Sequence, residues 1–520
     1  MIGFDVRHDS EYWSKVVANC CISRKIEEKS VRRFEKVVPT PFVSFAVKEY
    51  NACFGVMITA SHNPKEDNGY KIYWENSAHV MGGIETGISE EIRLESQRWK
   101  TSELACFVEY LHELSMKRFE KLPEFFYYDH ILRIYLSRIK AELDDANAPN
   151  GEYSTRSDMA IVYSAFHGVG NAVMLETFKN LGFTNVKSVP EQAEPDHEFP
   201  TLKLPNPEDG EIALKCSIDF ANSNGCKLIV ANDPDADRLA VAEKQGNSWR
   251  VFTGNETAAI VGFWAFKKYM KRQSTNSGAF ENCVMFGSMV SSHILKSMAM
   301  KHGFKYVETL PGFKHTGNLA AKMKSENFEI LFGFEDSIGF MYGDMVLDKD
   351  GISAAVVVAQ IADHYRKYNK NLSQVLDEIY LSYGYHANRN SYVFSDDSGR
   401  TEQLFSDISE KFQEHKSIKI GDEDEVFYVK RFRDVRNRYD SDAVETQFVS
   451  SGFFVIFDFE NGASLILRTS GTEPKIKYYS EMIGEPGEDS FKVQGQLEIL
   501  VKVMIREVLQ PEKYGFGNKL

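Results

Sequence analysis

The sequence predicts an α/β protein of several domains, with a largely parallel sheet in each α/β unit and a smaller α+β domain at the end. Three observations carry this. Short apolar runs rich in Val and Ile alternate with amphipathic stretches of helical period. The chain has 520 residues, which suggests about three to five domains at ordinary domain size. The last segment changes character, with the strand-like runs VFYVKRF and FFVIFDF.

Individual elements follow from local pattern. Ile161-Val162-Tyr163 reads as a strand, His167-Gly168-Val169-Gly170 as a turn, and Asn171 to Leu181 as a helix. Val284-Met285-Phe286, then Gly287-Ser288, then a helix from about Ser291 to His302 form a second unit of the same kind. The two hint at repeated architecture without a strict repeat period. A long helical pattern, Tyr128 to Leu143, precedes a loop-like stretch from Asp144 to Ser157 and is expected to connect two domains. KRQSTNSG (271–278) reads as a linker, and a further break lies near 384–389. The expected domains are 1–128, 129–273, 274–385 and 386–520.

Composition narrows the function. The net charge of −14 argues against a nucleic-acid binder, which needs a positive surface. A small anionic substrate stays open, because a pocket can be basic on an acidic protein. The apolar fraction of 43% and aromatic fraction of 13% suit a globular chain. Seven cysteines without a C-x-x-C pair fit reduced thiols. MIGFDVRHDS carries charges where a signal peptide needs an apolar core, and the low-charge run 257–266 is too short to span a membrane. A soluble, cytoplasmic protein is expected, with no membrane partner.

Four apolar strands each run into a polar loop, and in open α/β sheets ligands bind beyond the carboxyl ends of strands. The first strand, Gly55 to Ala60, leads to Ser61-His62-Asn63-Pro64. Ser61 alone reads more readily as a turn or N-cap serine than as a nucleophile. No G-x-S-x-G elbow surrounds it, which argues against an esterase. The second strand, Lys227 to Ala231, leads to Asp233-Pro234-Asp235-Ala236-Asp237-Arg238. Carboxylates two residues apart in an extended loop share a side, so this trio suits one hard cation; a solvated acidic turn is the rival reading. An EF-hand fails, because its sixth position is Arg238 and its twelfth Lys244. The third strand, Glu329 to Phe334, leads to Glu335-Asp336-Ser337-Ile338-Gly339, which suits either sugar hydroxyls or a helix N-terminus. The fourth, Ser464 to Leu467, leads to Arg468-Thr469-Ser470-Gly471-Thr472-Glu473-Pro474, a plausible phosphate cradle.

Together and in this order, the four loops resemble those of the α-D-phosphohexomutase superfamily. TASHNPKEDNGYK (59–71) and RTSGTEPKIKYY (468–479) look closest to its eukaryotic phosphoglucomutase-2 and phosphopentomutase branch. The resemblance implies three similar mixed α/β domains plus a smaller α+β C-terminal domain around a central cleft. It implies a phosphoserine at Ser61, with Mg²⁺ on Asp233, Asp235, Asp237 and a phosphoserine oxygen. His62, Lys71 and Arg238 match positions beside the reacting phosphoryl. Arg7, Gly312, Lys314, Glu335 and Ser337 match substrate positions, and Arg468, Ser470, Gly471 and Thr472 match the distal phosphate cradle. The implied activity is a phosphoglucomutase or phosphopentomutase that moves phosphoryl between C1 and C6 of a hexose, or C1 and C5 of a pentose, through a bisphosphate intermediate that also serves as activator. The implied oligomeric state is a monomer or weak oligomer.

Two departures matter. The sugar loop reads FEDSIG where many hexose mutases read G-E-x-S-G. The family also has a G-T-x-G-x-R segment upstream of the strand matched here by Ile2 to Arg7, so on the resemblance a first strand, a first helix and one site arginine are expected to be absent. The alternatives are a glucose-1,6-bisphosphate synthase and a truncated, non-catalytic isoform. Phosphorylation adds about −1.5 to −2 at Ser61, so the trio and phosphoserine together carry about −5, reduced to about −3 by one Mg²⁺. Nearby cations such as Arg238 and Lys71 are expected on that ground.

Overall fold

The structure is a computed structural model that describes residues 1–23, 26–27, 30–98, 127–143, 157–273, 280–413, 418–421, 425–442, 450, 452–470 and 474–518. Residues 144–156 of the predicted loop over 144–157 and 274–278 of the predicted linker over 271–278 lie outside the described residues, while Lys271 and Arg272 belong to helix Gly254–Arg272 and not to a linker. The chain forms two compact units, Met1–Ser288 with His302–Leu376, and Met289–Lys301 with Asp377–Leu520.

The first unit holds three sheets built on one plan. Strand Phe54–Ile58 pairs parallel with Ile2–Phe4 and antiparallel with Tyr70–Trp74. Strand Leu228–Ala231 pairs parallel with Ile161–Ser164 and antiparallel with Ala240–Gln245. Strand Glu329–Glu335 pairs parallel with Cys283–Ser288 and antiparallel with Gly339–Tyr342. Val186–Ser188 and Ser248–Phe252 complete a five-stranded sheet, and Lys305–Thr309 a four-stranded one. The repeated architecture hinted at by two βα units is therefore present three times. In each sheet the buried parallel strand ends in a polar loop that turns back as an antiparallel strand. The reading of 335–337 as a helix N-terminus is corrected accordingly. Each loop contains one non-glycine residue in the left-handed region: Ser61 at φ 52°, Ala236 at φ 57° and Ile338 at φ 52°. Such a residue costs about 1–2 kcal/mol, and tight side-chain anchoring must offset it.

Helices fix the sheets. Thr40–Glu49 starts at Pro39 with Pro41 in its first turn, which suits a helix start, and buries Phe42, Val43 and Phe45. Tyr127–Leu143, expected as a connector, buries Ile131, Tyr135, Ile139 and Leu143 along one face. Its Tyr135 ring lies 4.9 Å from Phe42 and 5.5 Å from Phe45. Burying side chains of this size contributes about 1.5–3 kcal/mol each. The Tyr135 hydroxyl donates to Asp350 Oδ2 at 2.6 Å. Asp350 also caps helix Gly351–Arg366 by accepting from Ile352 N and Ser353 N. Helix Gly254–Arg272 opens with a capping box between Thr253 and Glu256. No helix among the described residues is long and apolar enough to cross a membrane.

The second unit is a nine-stranded sheet whose pairings are antiparallel, with helices Ser398–Gln413 and Ser490–Met504. The strand-like runs of the sequence appear as Phe427–Asp434 and Phe454–Phe459. Glu481, on strand Lys475–Ile483, is buried and accepts from Ser292 Oγ at 2.5 Å and from the backbone N of His293 at 3.0 Å. It also pairs with His293 Nδ1 at 2.6 Å and His386 Nδ1 at 3.0 Å. Burial opposes its charge, but the two imidazoles outweigh burial and hold its pKa well below the usual carboxylate range.

A depressed folded-state pKa stabilises the fold above the unfolded value and loses that stabilisation as pH falls below about 4.3. Glu481→Gln is expected to destabilise the second unit by about 3 kcal/mol at pH 7 and to flatten its acid limb. Hydrogen exchange of peptides from 377–518 between pH 3.5 and 7 checks this; an acid limb unchanged from the parent refutes it.

Candidate active site

Ser61 follows strand Phe54–Ile58 and is held from three directions. Its backbone N donates to Thr59 Oγ1 at 2.8 Å. Its carbonyl accepts from the Arg7 guanidinium at 2.7 Å. Its Oγ donates to Asp233 Oδ2 at 2.7 Å and lies 3.2 Å from His62 Nδ1.

Asp233, Asp235 and Asp237 are fully buried, and one carboxylate oxygen from each lies within 4.8 Å of the others. The loop that carries them is buttressed by glycines at two helix starts. A Cβ on Gly168 would strike the Pro234 backbone, and one on Gly351 would strike the Arg238 carbonyl. Val169 N donates to the Pro234 carbonyl at 2.8 Å, so the H-G-V-G turn supports the aspartate loop directly. Lys71 Nζ bridges Asp235 Oδ2 at 2.7 Å and Asp237 Oδ2 at 2.6 Å. Thr40 Oγ1 donates to Asp235 Oδ2 at 2.5 Å, and Lys349 Nζ lies 3.3 Å from Asp237 Oδ2.

These contacts divide the protons unevenly. Burial first, then the Asp235 and Asp237 charges, push Asp233 well above the usual carboxylate range. Burial also opposes ionisation of Asp235, but Lys71 and the Thr40 hydrogen bond overcome it and hold Asp235 below its ordinary value. Burial and Asp235 raise Asp237. Lys71 is buried too, yet Asp235 and Asp237 raise its pKa above the ordinary lysine value. Burial, helped by Arg238, lowers His62 to about 3, so its imidazole is neutral at pH 7. Asp235 Oδ1 and Asp237 Oδ1 are buried without a hydrogen-bond donor among the described residues. Such orphaned hard oxygens are what a magnesium site needs.

Lys71, Lys349, Gly312 and Lys314 line a cavity of about 400 Å³. Glu85 lines the same cavity and pairs with Lys314, while Lys71 and Lys349 are paired with the buried aspartates.

Three segments match successive parts of one family: 1–99, 134–246 and 253–383, described as phosphoglucomutase/phosphomannomutase alpha/beta/alpha domains I, II and III. The human phosphopentomutase is 36% identical over 538 residues, covering 100% of this chain and 83% of that protein. The human glucose 1,6-bisphosphate synthase is 38% identical over 527 residues, covering 99% and 81%. The Saccharomyces cerevisiae phosphoribomutase is 32% identical over 541 residues, covering 100% and 84%. The chain belongs to the phosphoglucomutase/phosphomannomutase family. Its fold matches the open form of the Paramecium parafusin phosphoglucomutase with a TM-score of 0.64 at 18% identity, covering 99% of this chain and 88% of that one.

The phosphoglucomutase/phosphomannomutase motifs of the first unit converge as far as Ser61, His62, Lys71 and the aspartate trio are concerned. Three other expected residues have different partners. Arg7 was expected at the substrate; it is buried behind the Ser61 loop, and its guanidinium donates to the carbonyls of Ser61, Asn63, Pro64 and Asp67. Arg238 was expected beside the phosphoryl group; its guanidinium pairs with Glu208, while its backbone N donates to Asp233 Oδ1 at 3.0 Å. Lys314 pairs with Glu85 at 2.9 Å. Glu335 accepts from Gly312 N, which joins two of the expected substrate residues, and burial raises its pKa. Ser337 is half-buried in the same loop.

In the second unit, Arg468 lies one residue before the end of strand Ser464–Thr469 and donates to the Tyr479 hydroxyl at 3.0 Å. Ser470 N donates to the Lys475 carbonyl at 2.9 Å. Gly471 and Thr472 lie outside the described residues.

Sequence reasoning missed Thr40, Asp348 and Lys349. Asp348 accepts from the Tyr73 hydroxyl at 2.7 Å, lies 2.9 Å from His79 Nε2, and stands 3.7 Å from Lys349. The run LDKDG before helix Gly351–Arg366 was the available signal.

Arg7 acts as a positioning residue for the Ser61 loop. Arg7→Lys is expected to lower kcat by about a hundredfold through misplacement of Ser61, with KM little changed and faster hydrogen exchange over 61–67. Unchanged exchange there, or a change confined to KM, refutes this role.

Proposed function

We propose that this chain is a phosphoglucomutase/phosphopentomutase that carries the phosphoryl group on Ser61. The observation that supports it most is the Ser61 hydroxyl seated on Asp233 at the edge of a buried carboxylate trio. The fully related phosphopentomutase and phosphoribomutase favour a pentose phosphate as one substrate. The reaction site is assigned to the loops of Ser61, the aspartate trio and Glu335 within segments 1–128, 129–273 and 274–385, and a phosphate-binding role is assigned, on the family resemblance, to Arg468, Ser470, Gly471 and Thr472 of segment 386–520. A cytoplasmic metabolic enzyme fits this reading.

Asp233, Asp235 and Asp237, with a phosphoserine oxygen, would hold Mg²⁺. A magnesium ion there supplies charge neutralisation for the transferring phosphoryl group. The protein's own groups do the rest. The left-handed backbone at Ser61, tied down by Arg7, presents Oγ in one direction. Lys71 and Lys349 place positive charge beside the trio, where charge develops on the phosphoryl oxygens. The sugar hydroxyl oxygen forms the new O–P bond as the Ser61 Oγ–P bond breaks. The proton lost by the sugar hydroxyl balances the one gained by Oγ. His62, neutral and with Nδ1 3.2 Å from Oγ, is positioned to pass it. The resulting bisphosphate turns around, and Ser61 takes back the other phosphoryl. Glu335 and Ser337 are assigned to the sugar hydroxyls, Lys314 and Gly312 to the cavity wall.

The glucose 1,6-bisphosphate synthase relative supports a second reading, in which the same serine accepts phosphoryl from an acyl phosphate donor. Ribose 1-phosphate and glucose 1-phosphate, each with catalytic bisphosphate, and 1,3-bisphosphoglycerate as donor, separate the two. Ser61→Ala is expected to abolish turnover and the phosphoserine mass increment while the fold persists. Asp235→Asn is expected to raise the Mg²⁺ concentration needed for half-maximal rate, and chelation to stop the parent enzyme. Full turnover by Ser61→Ala, or a parent-like Mg²⁺ titration by Asp235→Asn, overturns the assignment.

A further inference from the structure

Apart from the aspartate trio, the described residues hold one other grouping of metal-ligating side chains, His8, His197 and Glu198. One ligand atom from each lies within 4.8 Å of the others. His8 Nε2 stands 2.7 Å and His197 Nε2 3.8 Å from the same oxygen, Glu198 Oε1. The two imidazole rings lie 3.8 Å apart between centroids. Lys65 Nζ holds the other oxygen, Glu198 Oε2, at 2.5 Å.

We propose that His8, His197 and Glu198 form a regulatory site for a Zn²⁺-class transition-metal ion, separate from the Mg²⁺ site and independent of the reading of that site. Two imidazole nitrogens and one carboxylate oxygen make a borderline-soft set that selects zinc, cobalt or nickel over magnesium, and leave a fourth position open. An ordinary surface ion pair explains less. Lys65 already neutralises Glu198, so charge balance does not call for two imidazoles on its other oxygen. Monodentate binding through Oε1 leaves Lys65 on Oε2, where it orients the ligating carboxylate as an outer-sphere partner.

The location gives the site a consequence. His8 follows Arg7, whose guanidinium holds four carbonyls of the 61–67 loop. Lys65 belongs to that loop. On the other side, Phe199 follows Glu198, and its ring lies 5.4 Å from the Arg7 guanidinium. An ion at this site cross-links the residues on both sides of the Ser61 loop and stiffens it.

His8, His197 and Glu198 side chains are 48%, 47% and 47% exposed, so substitutions there leave the core untouched. The full chain, saturated with Mg²⁺, is titrated with Zn²⁺ by calorimetry and with Co²⁺ by visible absorption. One ion per chain is expected, with the intense absorption of low-coordinate cobalt and slower hydrogen exchange over 61–67. His8→Ala and His197→Ala are expected to lose this ion, Lys65→Ala to weaken it about tenfold, and Asp235→Asn to retain it. Absence of zinc uptake, uptake unchanged in His197→Ala, or uptake lost in Asp235→Asn overturns the proposal.

Discussion

Three carboxylates within 4.8 Å, all fully buried, form the constraint on which the first unit depends. Desolvated like charges repel strongly, and the fold answers with donors drawn from widely separated segments. Thr40 opens helix Thr40–Glu49, Lys71 lies on the strand that returns beside the one leading to Ser61, and Lys349 comes from the segment before helix Gly351–Arg366. The Arg238 backbone contributes an N–H to Asp233. The same repulsion distributes the protons, raising Asp233 and Asp237 while Asp235 stays ionised against Lys71. A site of this kind is incomplete as a static ion pair network. Two of its oxygens lack a hydrogen-bond donor among the described residues, and oxygens of that kind are what a hard cation would satisfy.

The reactive groups are presented by a repeated device. Each of three sheets ends its buried parallel strand in a polar hairpin and returns antiparallel, so the serine, the aspartates and the Glu335 loop occupy equivalent places. A hairpin flanked by two hydrogen-bonded strands is stiffer than a strand-to-helix loop. Strain at Ser61, Ala236 and Ile338 is tolerated because both flanks are pinned. Arg7 adds the last restraint by donating to four carbonyls of the Ser61 loop. This arrangement favours electrostatic preorganisation over rearrangement during the transfer.

Much of the chemistry was legible in the sequence, because its informative residues are local. D-P-D-A-D-R needs only its own spacing to suggest a cation, and Ser61, the aspartates, the Glu335 loop and the Arg468 loop keep their chain order. The apolar runs located the central strands for the same reason. What escaped reading were single residues without a local pattern. Thr40 sits 195 positions from Asp235, and nothing about a threonine before a proline announces a carboxylate partner. Arg7 looks like a ligand-binding arginine in isolation, yet its fork is spent on backbone oxygens. Arg238 likewise turns its guanidinium to Glu208.

The sequence by itself determined the α/β class, the α+β ending and a carboxylate trio suited to a cation, since these follow from periodicity and from side-chain types at short spacing, whereas a phosphoryl carrier at Ser61 is what the family resemblance implies. Only the tertiary structure decided that Ser61 Oγ meets Asp233, that Lys71 and Lys349 neutralise the trio, and that the loops return as antiparallel strands. The physical reason is that desolvation and Coulomb terms depend on distances set by packing between remote segments, and a pattern of neighbours along the chain does not encode those distances.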